Sequence, residues 1–123
     1  MIQKSAQDAL DTLNEIVAEF GADYVYPDYQ NGCHYMIDGE PSCLVGQVLY
    51  KWGVDISILD RDGVYRDESL YASYSNRVLL HYKDQGILEL SPEAKNVLTE
   101  AQYNQDSGTT WGESVRRAAY YAD

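Results

Sequence analysis

Four glycines each close an apolar stripe of helical period, and this punctuation restricts the chain to short helices. Ala6, Leu10, Leu13, Ile16, Val17 and Phe20 share one helical face, and Gly21 follows. In the same way Leu44, Val45, Val48, Leu49 and Trp52 precede Gly53, Leu70, Tyr74, Val78 and Tyr82 precede Gly86, and Ala94, Val97, Leu98 and Ala101 precede Gly108. Start signals complement these stops. Ser5 stands three residues before Asp8, Ser91-Pro92-Glu93 offers a cap, a first-turn proline and an acid, and Thr110-Trp111-Gly112-Glu113 has the form of a capping box. The pattern predicts helices over about 5–20, 42–52, 68–83, from Ser91 to Gly108, and from Thr110 onward. Gly46 inside the second helix lowers propensity and suits close approach of a neighbouring backbone.

Between the first two helices, 23–27 reads as extended up to Pro27, Asn31-Gly32 as a turn, and 33–37 as a returning strand closed by Asp38-Gly39. Residues 87–90 read as a short extended connector, and 55–67 has no clear pattern. The fold class expected is α+β and mostly helical, with about five helices packed around a small two-stranded β-hairpin. A length of 123 residues predicts a single domain over 1–123.

Twenty acids against nine bases give a net charge of −11. Such a field repels nucleic acid, so direct nucleic-acid binding is not expected, whereas a basic surface on a partner protein suits it. No apolar run reaches the ~18 residues of a membrane span. Met1-Ile2-Gln3-Lys4-Ser5 leads straight into an amphipathic pattern, so the expected location is the cytoplasm. There the two cysteines, Cys33 and Cys43, stay reduced. With His34 they lack a second closely spaced ligand pair, so no metal is expected. Twelve tyrosines against one phenylalanine suit interfaces, stacking surfaces or the rim of a small core.

Several residues are candidates for chemistry. The amides at the start of the second helix, with Ser42 and Cys43, suit an anion, and Tyr26 and Tyr35 suit stacking beside it. Equally, Ser42 suits capping of its own helix. Cys43 with His34 as its base would make a thiol enzyme, but no third group orients them. Arg77 beside Asn76, and Arg116, are candidate phosphate ligands, Arg116 also suiting its helix C-terminus. Trp111 adds a ring. Asp60-Arg61-Asp62-Gly63 does not fit calcium-loop spacing and reads as a solvated acidic loop. No Walker loop, GxGxxG, HExxH, GxSxG or CxxC pair occurs. A binding protein without catalysis or cofactor is the expectation.

Two stretches carry a resemblance: Cys33-x-Tyr35 and Asp38-Gly39-x-Pro41-Ser42-Cys43-Leu44-Val45-Gly46 with Leu49-x-x-Trp52-Gly53-Val54, and Ala101-Gln102-x-x-Gln105-Asp106-x-Gly108-x-x-Trp111. They resemble small accessory proteins encoded by phages of actinobacteria. The resemblance implies a host-cell setting and an anti-defence role, with no activity or site residue to carry over. Two functions follow as expectations. The first is sequestration of a small nucleotide-like ligand by Tyr26, Tyr35, Ser42, Cys43, Asn76, Arg77, Trp111 and Arg116. The second is an acidic nucleic-acid mimic that binds a host DNA-binding or defence protein. A homodimer or higher homo-oligomer is expected, with the last helix as its contact surface and Trp111, Tyr120 and Tyr121 supplying rings.

Overall fold

In the computed structural model, which describes residues 1–27, 35–37, 39–61 and 71–122 (backbone alone for 36, 37, 60, 61 and 71–76), Ser5, Ser91 and Thr110 each cap a helix and Ser42 does not. Helix α1 (Ala6–Phe20) begins at Ser5, whose hydroxyl accepts the Asp8 amide while the Asp8 carboxylate accepts the Ser5 amide. It ends at Gly21, at φ 98°. Helix α5 (Pro92–Asp106) starts on the Ser91 hydroxyl, and helix α6 (Trp111–Ala118) on that of Thr110. Thr110 forms one half of a capping box; the Glu113 carboxylate instead accepts from Arg116 and Arg117. A 3-10 turn, Ala119–Tyr121, follows.

Helix α2 (Leu44–Lys51) starts two residues later than its pattern predicts. Cys43 is its extended N-cap and makes no side-chain cap bond. Ser42 is diverted, its hydroxyl bonded to the Tyr26 hydroxyl at 2.8 Å. A five-residue helix, α3 (Ser57–Arg61), occupies the segment without a clear pattern. Helix α4 runs Tyr71–Asp84 and ends before Gly86, at φ 71°. The result is a mostly helical α+β fold.

The strands differ from expectation. Strand β1 (Ile2–Lys4) pairs in parallel with β4 (Leu88–Leu90), in the register Ile2 with Leu88 and Lys4 with Leu90. The segment expected as a connector is therefore a strand. The hairpin is also a different one: β2 (Met36–Ile37) pairs antiparallel with β3 (Glu40–Pro41), not with 23–27. Tyr24–Tyr26 is not a strand; its Tyr24 carbonyl is already taken by the Trp111 amide at 2.7 Å. The Asn31-Gly32 turn, Cys33 and His34 lie outside the described residues.

One core cluster joins these elements. It takes Leu13 and Ile16 from α1, Leu44, Val48 and Leu49 from α2, Val78 and Tyr82 from α4, and Val97 and Leu98 from α5. Burying such aliphatic side chains contributes roughly 1.5–3 kcal/mol each before the entropy of ordering is set against it. Two glycines allow backbones to meet. A Cβ on Gly46 would stand 2.2 Å from the Tyr35 carbonyl oxygen, and one on Gly112 would stand 2.8 Å from the Ala22 oxygen. Gly112 is held there by its own amide, which donates to that Ala22 oxygen at 3.0 Å.

Candidate functional site

The start of α2 carries a buried polar network. A helix leaves its first amides without partners in the helix. Here the Leu44 amide donates to Gln105 Oε1 at 2.8 Å and the Val45 amide to Gln102 Oε1 at 3.0 Å. Both glutamines project from one face of α5 and are fully buried. Their own amides donate to a single oxygen, Asp106 Oδ1, at 3.2 Å from Gln102 and 2.8 Å from Gln105. The arrangement relays a carboxylate through two amide dipoles to the positive end of α2. Burial pushes the Asp106 carboxyl up to about 7, against the lowering effect of its two glutamine donors. Asp106 Oδ2 is buried and has no hydrogen-bond partner among the described residues.

This network occupies the amides that an anion would need. Cys43 is fully buried, so its thiol is not presented to a substrate. His34, its proposed base, lies outside the described residues. Tyr35 and Trp111 are fully buried and Tyr26 is 2% exposed, which makes all three rings core rather than stacking surfaces. Trp111 packs between Phe20 and Tyr24, with ring centroids at 4.9 and 4.6 Å, and its Nε1 is buried without a partner among the described residues. Burial also removes Trp111 from the expected contact surface on α6, whose Val115 and Ala118 pack inward as well.

The cations lie elsewhere. Arg77 is exposed on α4, where Asn76 has only its backbone described. Arg116 and Arg117 share the Glu113 carboxylate, and Arg117 also donates to Asn104 Oδ1 at 3.0 Å. The two arginines, Arg116 first, hold the Glu113 carboxyl down to about 2. Of the eight expected site residues, only Tyr26, Ser42, Tyr35 and Cys43 gather in one place, and they do so as packing around the start of α2. Among the described residues no group of three His, Cys, Asp or Glu side chains could hold a metal ion.

Two surface features were not located in the sequence: the place of the acidic face that a nucleic-acid mimic requires, and a cavity. On α1, Asp8, Asp11, Glu15 and Glu19 are all exposed, and their three- and four-residue spacing puts them on one stripe. Lys51 meets Glu19 at 3.0 Å. The 8-11-15-19 spacing was the available signal for this face. The second feature is a cavity of about 220 Å³ between α4, β4 and the start of α5. No described helix is long and apolar enough to cross a membrane. No family model, curated protein or solved structure matches the chain.

Proposed function

We propose that this chain is a non-catalytic binding protein that uses an acidic face to occupy a basic, nucleic-acid-binding surface of another protein. The observation that carries this reading is the α1 stripe: four exposed carboxylates on one side of a single rigid element. By helix geometry they span roughly 16 Å within an arc of about 80°. That is one charge per about 5 Å, against one phosphate per ~3.4 Å along a DNA strand. The whole-chain charge of −11 adds long-range steering toward a cationic partner. A phage accessory protein acting on a host nuclease or repressor fits both properties.

The test is binding to a panel of purified nucleases and repressors by biolayer interferometry. A complex should weaken as salt rises, compete with duplex DNA, and be lost in Asp11→Lys/Glu15→Lys. A complex indifferent to salt, to DNA and to the charge swap would overturn the reading.

Sequestration of a nucleotide-like ligand is the second reading, and the cavity beside Lys83 and Lys95 favours it. Its volume is below the roughly 300–1,000 Å³ typical of ligand sites, so a whole nucleotide fits poorly within this cavity alone.

A further inference from the structure

The cavity itself has a definite chemical character. Its floor is made by Leu79 of α4 and Leu88 of β4, both nearly or fully buried, with Leu90 beside them. Leu80, half-exposed, forms one lip. Lys83 and Lys95 also line it, one from each of the two helices, and no described acid does. Neither lysine has an ion pair among the described residues. In a chain with twenty acids and nine bases, a hollow lined by two lysines and, among the described residues, no acid is a local reversal of the overall field.

Two further hollows adjoin it. One shares Leu90 and is lined by Lys4; the other shares Leu80 and is lined by Arg77 and His81. They also contain Asp8, Glu89 and Asp84, so the net cationic character is confined to the central cavity. From this we infer that the cavity between α4, β4 and α5 is a binding site for a small organic acid, with an apolar body on the leucines and a carboxylate between Lys83 and Lys95.

Size limits the ligand further. A 150 Å³ apolar cavity accepts benzene. On that scale about 220 Å³ holds an apolar body of roughly seven to nine heavy atoms, an aromatic ring with a short arm or a short alkyl chain. The carboxylate then sits at the mouth, where lysine ammonium groups reach it without being desolvated. This site is independent of the acidic face on α1.

Phenylacetate is a suitable probe, titrated into the full chain while leucine methyl resonances are followed by NMR. Expected are saturable shifts at Leu79, Leu80, Leu88 and Leu90, with a Kd of roughly 0.1–1 mM. Phenylacetamide, equal in shape but uncharged, should bind at least about fivefold more weakly. Lys83→Ala and Lys95→Ala should each weaken phenylacetate about two- to fivefold. Leu80→Glu, which places a carboxylate at the lip, should abolish binding. All three positions are exposed, and an unchanged amide spectrum verifies the fold of each variant. Equal binding of phenylacetamide, undiminished binding by the Lys83→Ala/Lys95→Ala double variant, or shifts that fail to saturate by about 20 mM would each overturn the assignment.

Discussion

Gln105 places its side-chain carbonyl 2.8 Å from the amide nitrogen of Leu44, across sixty-one positions of sequence. An eight-residue helix is too short to be stable by itself, and this bond satisfies its first orphan amide. Replacing Gln105 by Leu leaves that amide buried without an acceptor. The expected loss is about 1–3 kcal/mol in urea unfolding. The double variant with Gln102→Leu should lose less than the sum of the singles, because both glutamines bind the same Asp106 oxygen.

Asp106 makes stability depend on pH. Its pKa rises from 3.8 to about 7 on folding, so between those values the folded chain binds more protons than the unfolded one. Stability therefore falls as pH rises from about 4 and levels off above about 7, by on the order of 3–4 kcal/mol. Asp106→Asn keeps the shape and the acceptor for both glutamines, and should flatten the slope over that window. Glu113 contributes in the opposite sense and in another window: its stabilisation is present above about 4.5 and is lost as pH falls toward 2. Urea midpoints at pH 2, 3, 4, 5.5, 7 and 8 check both statements.

Gly46→Ala should be among the most damaging single-methyl changes in the chain. The added carbon would lie 2.2 Å from the Tyr35 oxygen and 2.9 Å from its carbonyl carbon, and both are backbone atoms, so either α2 or the backbone at Tyr35 must shift. The expected outcome is a loss of several kcal/mol, of the size seen for severe overpacking. Gly112→Ala meets Ala22 atoms at 2.8 Å and should cost less. Thermal unfolding of the two variants in parallel gives the order.

Self-association is expected through the tyrosines that remain outside. Tyr103 is 49% exposed, Tyr120 77% and Tyr121 45%, and the 3-10 turn bearing the last two packs on α5, which carries the first. Two copies at −11 bring −22 together, so a dimer should tighten as salt rises. Light scattering at low and moderate salt tests this; Tyr120→Ser should weaken the dimer, and a monomer at high concentration in both salts contradicts it.

The parts of the fold that were legible in the sequence are those decided locally. Ser5 with Asp8, Ser91 with Pro92, and the stop at Gly21 involve neighbours within four residues, and their signals survive in any packing. The pairing of Ile2 with Leu88 has no such signal. Three-residue strands are too short to show an alternating pattern, and a parallel partner is never adjacent in sequence. The burial of the rings expected to stack was hidden for a related reason. Tyrosine suits both core and surface, so the burial of Tyr35 was not visible in its identity. The Gln102-x-x-Gln105-Asp106 face was visible as helical spacing, yet its target, the start of α2, lies in the other half of the chain.

The separation between Leu44 and Gln105 also sets an order of events during synthesis. At about 5–20 residues per second, the sixty-one positions between them take roughly 3–12 s to emerge. For that interval α2 has neither its distant acceptors nor the packing of α5, and 2–4 must wait longer still for the strand at Leu88. The nascent N-terminal half therefore exposes Val45, Val48 and Leu49 to whatever holds unfolded chains in the cell. The last third of the polypeptide acts as the clasp that releases the first from that custody.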